Sequence, residues 1–177
     1  MPKTYLVPHV GCPTFQSVEL PSDTVSQGLV QVTEVEDAAE RSRLCESVLR
    51  ELPEWFGRAE ANAAYVREVA GLPTFAVEDK GFVSLRLHGA RAGELYVMGV
   101  RPEHQRCGVG TALLAVAEDY LRAHGAEYVQ VKTLGPSRPS EAYERTRGFY
   151  EARGFVPLEE LHGLWEGNPC LLMVKRL

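Results

Sequence analysis

The chain has 177 residues, of which 45% are hydrophobic and 24% charged, and these proportions are typical of one globular domain with a sizeable core. The net charge of −5 disfavours a general nucleic-acid-binding protein, and no apolar run approaches the ~18 residues of a membrane span. The four cysteines are widely spaced and not placed near paired histidines, which disfavours a zinc site. We therefore expect a cytoplasmic protein with reduced cysteines and with no metal, nucleic-acid or membrane partner.

The first part of the chain is hard to assign to regular structure. Prolines and glycines interrupt residues 1–27, so we predict an extension packed on the domain, with a short strand at Val18–Leu20. Residues 28–177 are predicted to form a single domain. Its first strand is Gly28–Val35, where valines alternate with polar residues.

Two helices are predicted to follow this strand. Asp37 is a suitable N-cap with Glu40 as its capping-box partner, and Pro53 stops the helical pattern. A second apolar stripe predicts a helix over residues 58–69. Between the helices lie two adjacent large aromatics, Trp55–Phe56, which either cover the core or wall a substrate pocket.

A hairpin and a central strand are predicted next. Thr74–Glu78 and Gly81–His88 form the hairpin, and apolar–polar alternation in its second arm is typical of an antiparallel strand with one face in water. Glu94–Val100 is almost wholly apolar after its first residue, which predicts a central strand buried on both faces.

The second half of the chain alternates helices and strands. An amphipathic helix is predicted over residues 108–124, followed by a strand at Tyr128–Leu134 that runs parallel to Glu94–Val100. Another helix is predicted over residues 140–153. Two strands then close the chain, the last of them at Cys170–Val174.

The loop between the central strand and the long helix carries the main functional signal. A glycine-bearing loop at a helix start can hold a phosphate, because the first-turn N–H groups are unpaired and the helix dipole favours negative charge. This loop lacks the lysine of a P-loop, and Leu113 replaces the third glycine of a Rossmann loop. The pattern that fits is Q-R-x-G-x-G, at Gln105, Arg106, Gly108 and Gly110. An ordinary strand-to-helix turn is the alternative interpretation.

This loop resembles the acetyl-CoA pyrophosphate loop of the GCN5-related N-acetyltransferases, the GNAT family. A second segment, A-Y-E-R-T-R-G-F-Y-E-A-R-G-F at Ala142–Phe155, resembles the family's second signature, in which a short helix packs against the cofactor. The resemblance covers roughly residues 28–177. Where many members carry an asparagine after the parallel strand, this chain has Ser137 and Ser140. The segments P-E-W-F-G, K-T-L-G-P-S and N-P-C-L resemble a bacterial subgroup of unassigned substrate.

The resemblance implies both a fold and an activity. The GNAT fold is a mixed sheet of about six to seven strands, antiparallel in its N-terminal part, with a parallel pair at the cofactor cleft and helices on both faces. The activity is N-acetyl transfer, in which a primary amine of a small molecule or protein attacks acetyl-CoA directly in a ternary complex. Acetyl-CoA is then a cosubstrate, and the protein is a monomer or homodimer. The alternative from another class is a non-catalytic module that senses acyl-CoA.

The resemblance also implies roles for two side chains. Tyr150 matches the tyrosine that stands beside the departing thiolate, and it is the candidate acid. Glu94, at the start of the central strand, is the candidate base, acting directly or through water. A base is needed because a free amine, with a pKa near ~10, arrives protonated. Glu103 and His104 lie nearer the loop, where side chains more often face solvent.

Most of the cofactor contacts implied by the resemblance are main-chain contacts. The pantetheine arm pairs, where the two parallel strands splay, with Met98, Gly99 and Val100. The pyrophosphate is held by the loop residues Gln105, Arg106, Cys107, Gly108, Val109, Gly110 and Thr111. Cys107 as a covalent acyl carrier is disfavoured, because phosphate and thioester lie apart along the cofactor. The candidate acceptor-binding residues are Trp55 and Phe56.

Overall fold

The computed structural model describes residues 2–8 and 29–177. This part of the chain contains eight strands, Thr4–Pro8 (β1), Leu29–Glu34 (β2), Thr74–Val77 (β3), Gly81–His88 (β4), Ala92–Val100 (β5), Tyr128–Leu134 (β6), Val156–Trp165 (β7) and Asn168–Arg176 (β8). It also contains four α-helices, Ala38–Arg50 (α1), Ala59–Val69 (α2), Val109–Ala123 (α3) and Glu141–Glu151 (α4). A short 3₁₀ turn, Pro102–His104, precedes α3.

All eight strands belong to one sheet, in the order β1-β2-β3-β4-β5-β6-β8-β7. Every neighbouring pair is antiparallel except β5 and β6, which are parallel. The predicted fold class is confirmed, with eight strands in the described part of the chain. β1 was not predicted; it pairs with β2 from Thr4 opposite Thr33 to Pro8 opposite Leu29. The strand predicted at Val18–Leu20 lies outside the described residues, and the predicted boundary at residue 28 stays a prediction.

Helices cover the sheet on both faces, and each face has its own core. On one face α1 and α2 enclose a cluster that includes Cys45, Val48, Leu49, Val69, Phe82 and Val97. On the other face α3 packs over a larger cluster that includes Val83, Leu85, Leu113, Leu121, Tyr150 and Phe155. The prediction that the central strand is buried on both faces is confirmed, because β5 contributes side chains to both clusters.

The prediction of one wet face along Gly81–His88 is wrong for the first part of the strand. Residues 81–85 are buried throughout, and the strand reaches solvent only towards His88. The polar residue on the supposed wet face, Ser84, is fully buried and shares a 2.8 Å hydrogen bond between its hydroxyl and that of Thr74. Alternation along one strand cannot reveal that a helix from elsewhere in the chain covers the second face.

The predicted helix starts are confirmed. The Asp37 side chain accepts a 2.7 Å hydrogen bond from the Glu40 N–H, and the Ser140 side chain caps α4 by accepting from the Tyr143 N–H. Gly108 is the residue immediately before α3. Within residues 2–8 and 29–177, no helix is long and apolar enough to cross a membrane.

Gly93 allows α3 to approach the central strand closely. A Cβ at this position would lie 2.7 Å from Leu121 Cδ1 and 3.0 Å from Cγ, and the Leu121 side chain is fully buried. We predict that Gly93→Ala lowers the free energy of unfolding by about 1–3 kcal/mol, because an overpacked core must shift its side chains. Urea unfolding followed by tryptophan fluorescence measures this change.

Gly148 is the matched control for this substitution. It lies inside α4, and a Cβ there meets nothing within 4 Å. Gly148→Ala should leave stability unchanged or raise it by about 0.5–1 kcal/mol, because alanine favours the helix. Equal effects of the two substitutions would contradict the packing role of Gly93.

Candidate active site

The two parallel strands, β5 and β6, are paired along only about half of their length. The pairs of opposed residues run from Ala92 with Tyr128 to Leu95 with Val131 and then stop, although both strands continue. Beyond this point a cleft of about 1350 Å³ opens between them. It is lined on one side by residues 95–100 of β5 and on the other by residues 131–134 of β6.

A β-bulge in β5 coincides with the start of the divergence. Ser84 of β4 lies opposite Val97, but the next residue, Leu85, lies opposite Leu95, so that Tyr96 has no partner across the pair. An extra residue in one strand bends that strand and increases its local twist. The bulge therefore turns the rest of β5 away from β6 immediately after the last parallel pair.

The loop between β5 and α3 forms the far end of the cleft. Gly108 has φ 79° and Arg106 has φ 61°, so two residues of the loop are left-handed, one of them without the freedom of glycine. The Gln105 side-chain amide donates a 3.0 Å hydrogen bond to the Val100 carbonyl and ties the loop to β5. No side chain in the described part of the chain caps α3, so its first-turn N–H groups remain available to an anion.

Phe149 of α4 packs directly against this loop. A Cβ on Gly110 would lie 3.3 Å from the Phe149 ring, so glycine permits the contact. The same ring lies edge-on to the Tyr150 ring, with the centroids 5.3 Å apart. The two sequence segments that resembled one family, though about 40 residues apart in the chain, thus meet in space.

The structure brings most of the predicted cofactor residues to the cleft. Those that line it are Met98, Gly99, Val100, Gln105, Arg106, Gly108, Gly110 and Thr111. Val109 points into the core instead, and Cys107 is partly exposed. Ser140 lines the cleft as well, but its hydroxyl oxygen accepts the capping hydrogen bond of α4.

Tyr150 lies on the wall of the cleft and is only 5% exposed. Its ring packs edge-on against Phe149 and Phe155, at centroid distances of 5.3 Å each. Burial raises the pKa of the Tyr150 hydroxyl well above its ordinary value, because the phenolate would lose its hydration. The hydroxyl is therefore protonated at neutral pH.

Glu94 is 3% exposed and is held by two basic side chains. Lys132 Nζ of β6 lies 2.6 Å from one carboxylate oxygen, and His88 Nε2 of β4 lies 2.5 Å from the other. Glu94 contributes to the wall of a side chamber of about 250 Å³. This chamber shares Tyr65, Tyr96, Lys132 and Trp165 with the main cleft, so it opens from the cleft towards the carboxylate.

Three aromatic residues, Tyr65, Tyr96 and Trp165, contribute to the wall of the side chamber. The rings of Tyr65 and Tyr96 meet edge-on at 5.5 Å, and the Arg86 guanidinium lies 4.1 Å from the centre of the Tyr96 ring. Burial, together with the charge of Glu94, raises the pKa of Tyr65. Both tyrosines therefore present neutral, flat surfaces beside the Glu94 carboxylate.

Trp55 and Phe56 both line the main cleft. Trp55 Nε1 donates a 2.9 Å hydrogen bond to Thr146 Oγ1, and the Tyr143 hydroxyl donates a 2.7 Å bond to the Trp55 carbonyl. The connector between α1 and α2 is thereby fixed to α4 across the cleft. The two aromatics form part of the wall and are not confined to the core.

Sequence reasoning missed three residues around Glu94, namely His88, Lys132 and Trp165. His88 was placed on a wet face, and its side chain is indeed 39% exposed, but it also contacts Glu94. Lys132 comes from a strand whose register against β5 is not encoded in any local pattern. The sequence signal that could have found His88 and Lys132 was that both lie on strands predicted to flank the central strand.

The comparisons with known proteins agree with this geometry. The model of the acetyltransferase (GNAT) family matches residues 32–155, which is more than half of the chain. A mycothiol acetyltransferase from Beutenbergia cavernae is 39% identical over 74 residues, which cover 42% of this chain and 23% of that protein. The chain thus spans about a quarter of the length of the curated relatives it matches.

Two solved structures illustrate the shared fold. A GNAT-family protein from Desulfovibrio desulfuricans superposes with a TM-score of 0.68 at 20% identity, covering 82% of this chain and 98% of that one. An aminoglycoside 6′-N-acetyltransferase complexed with coenzyme A gives a TM-score of 0.64 at 19% identity, covering 82% and 96%. Because the matched family model covers more than half of the chain, including the loop between β5 and α3 and the α4 segment, the chain belongs to the GNAT family of acetyltransferases.

Proposed function

We propose that this protein is an acetyl-CoA-dependent N-acetyltransferase that transfers the acetyl group to a primary amine by direct attack in a ternary complex. The observation that carries the proposal is the cleft between β5 and β6. It joins an uncapped helix start at one end to Tyr150 on its wall and to a carboxylate chamber at its side.

The donor lies along the cleft in this proposal. Its diphosphate accepts hydrogen bonds from the main chain of residues 106–111, where the helix dipole favours negative charge. Its pantetheine arm pairs with Met98–Val100 in place of the strand that β6 no longer provides. The thioester then lies where β5 and β6 begin to separate, beside the side chamber and, in this proposal, within reach of Tyr150 on the wall of the same cleft.

The chemistry requires one proton acceptor and one proton donor. Glu94 takes the proton of the incoming ammonium through water in the side chamber, which has room for several molecules at ~30 Å³ each. The free amine then attacks the thioester carbonyl, and the tetrahedral intermediate collapses with loss of the thiolate. Tyr150 donates its proton to that thiolate and recovers one, through water, from the nitrogen of the intermediate, so the products are the acetamide and the free thiol, and the proton taken by Glu94 passes to solvent.

The acceptor is a primary amine of a small molecule or protein, and the relatives suggest which amines to test first. The matched proteins are named for mycothiol and for aminoglycosides. A panel should contain the amine acceptors of both enzyme classes, simple alkylamines, and peptides with lysine or a free N-terminus. Release of free thiol from acetyl-CoA identifies turnover. Tight acetyl-CoA binding without turnover of any amine would instead favour a non-catalytic sensor.

The loop assignment is tested by Gly110→Glu. We expect the affinity for acetyl-CoA to fall by more than about a hundredfold, because a carboxylate faces the diphosphate and the new side chain displaces Phe149. Isothermal titration calorimetry measures the affinity. Gly148→Glu, which adds the same charge to an open position on α4, should bind as the unaltered protein does. Unchanged affinity in Gly110→Glu contradicts the loop assignment.

The acid role is tested by Tyr150→Phe. We expect kcat to fall by about 10²–10⁴ while the dissociation constant of acetyl-CoA changes little, because general acid catalysis contributes this much and the ring is retained. Steady-state kinetics with an amine found in the panel measures kcat, and isothermal titration calorimetry measures the dissociation constant. Tyr128→Phe removes a hydroxyl at an exposed position and should change neither kcat nor the dissociation constant. Full activity of Tyr150→Phe would remove this residue from the acid role.

The base role is tested by Glu94→Gln against Glu118→Gln. Both glutamates are buried and both are held by two basic side chains, Glu118 by Lys175 and Arg122. Each substitution should destabilise the fold to a similar extent. Only Glu94→Gln should lower kcat, by about a hundredfold or more, because only Glu94 borders the side chamber. A comparable kcat loss in both variants would show that Glu94 acts through stability alone.

A further inference from the structure

Arg153 lies two residues beyond α4 and reaches back to the start of α3. Its Nη2 donates a 2.6 Å hydrogen bond to Thr111 Oγ1, in the first turn of α3, and its Nη1 donates a 2.9 Å bond to the Phe149 carbonyl. The guanidinium stacks over the Phe149 ring, 3.8 Å from its centre. Arg153 also lines the main cleft, together with Gly110 and Thr111.

The positive charge of Arg153 is not compensated by the protein. Within residues 2–8 and 29–177, no carboxylate forms an ion pair with it, and its Nε is buried without a hydrogen-bond partner. Burial lowers the pKa of Arg153, because the charged guanidinium loses hydration there. A partly buried cation without a counter-charge is unfavourable unless an anion arrives at the site.

The other cleft-lining basic residues differ from Arg153. Arg58, Lys132 and Arg145 each form an ion pair with a glutamate. Arg106 and Arg138 are exposed, so water solvates their charges. Arg153 alone among the described basic residues of the cleft is both partly buried and without an anionic partner, and it lies beside the uncapped start of α3.

We propose that Arg153 binds the diphosphate of the acyl donor from the α4 side, opposite the main-chain donors of the loop, and thereby makes the site selective for coenzyme A thioesters over thioesters that lack the nucleotide. This inference rests on the proposed function. The Thr111 hydroxyl and the Phe149 carbonyl each accept a hydrogen bond from the planar guanidinium, which leaves one donor on each terminal nitrogen in a fixed fork that suits phosphate oxygens better than a point charge does. Its stacking on Phe149 and its bond to Thr111 hold that fork in place before the donor binds.

A purely structural role for Arg153 makes a different prediction. If the side chain only joins α4 to α3, R153Q and R153K both lose the planar stacking on Phe149 and should weaken acetyl-CoA binding to the same extent, an outcome that would overturn the role in binding. If Arg153 binds the diphosphate, its substitution lowers the affinity only for donors that carry that group. Acetyl-CoA and acetyl-pantetheine differ in this respect, and 3′-dephospho-acetyl-CoA keeps the diphosphate while lacking the 3′-phosphate.

The experiment compares the dissociation constants of these three donors for the unaltered protein, R153Q, R153K and the control R50Q. Calorimetry, with competition where binding is weak, requires no knowledge of the amine. R153Q should weaken acetyl-CoA and 3′-dephospho-acetyl-CoA by about tenfold to a hundredfold, the range of hydrogen bonds to charged groups, and acetyl-pantetheine by less than about twofold. R153K, which keeps the charge but loses the fork, should show a smaller loss. R50Q, on the exposed surface of α1, should match the unaltered protein.

Each outcome bears on a separate claim. An equal loss for all three donors, or unchanged acetyl-CoA affinity in R153Q, would overturn the role of Arg153 and leave the proposed function intact. A loss confined to acetyl-CoA would overturn the assignment to the diphosphate, because the 3′-phosphate would then be the group bound. Failure of the unaltered protein to bind acetyl-CoA would overturn the proposed function itself. Should R153Q unfold, the smaller loss expected in R153K must still be confined to the two donors that carry the diphosphate.

Discussion

The bulge at Tyr96 is the constraint on which the site depends. The bulge adds one residue to β5 next to the last parallel pair and so separates β5 from β6. Each strand remains paired with the strand on its other side. β5 stays paired with β4 as far as Val100, and β6 stays paired with β8 along its whole length. The cleft therefore opens inside a fully supported sheet. The edge of β5 that faces the cleft carries N–H and C=O groups that need partners, which is what an extended amide-containing arm provides.

Two close approaches place the helices at this cleft. Gly93 lets α3 lie close against β5 at Leu121, and Gly110 lets Phe149 of α4 contact the first turn of α3. The position of the loop follows from both contacts, because α3 cannot move without displacing a packed ring or a buried leucine. Arg106 keeps a left-handed conformation that costs energy for a residue with a Cβ. This energetic cost is consistent with a loop conformation that is set by the diphosphate the loop is proposed to bind.

The sequence predicted those parts of the molecule that depend on local chemistry. The predicted bounds of the strand Tyr128–Leu134 match those of β6, because a strand between a glycine and a proline-rich loop can hardly extend in either direction. The cap at Asp37 was predictable because a capping hydrogen bond joins residues that are close in sequence. The burial of Ser84 and the contact of Lys132 with Glu94 could not be predicted, because both depend on which distant element of the chain packs beside the strand. The bulge at Tyr96 has no signature in composition, because it is defined only by the register against β4.

The two ends of the cleft differ in how the chain builds them, and this difference bears on which end carries specificity. The loop end combines the backbone of residues 106–111 with the side chains of Phe149 and Arg153. The other end is built from side chains of separate elements, namely Tyr65 of α2, Tyr96 of β5 and Trp165 of β7, around a carboxylate that two basic residues immobilise. Each of these side chains can change without disturbing the loop. If the protein acts as proposed, the acceptor preference is therefore expected to depend on the side chains of the side chamber.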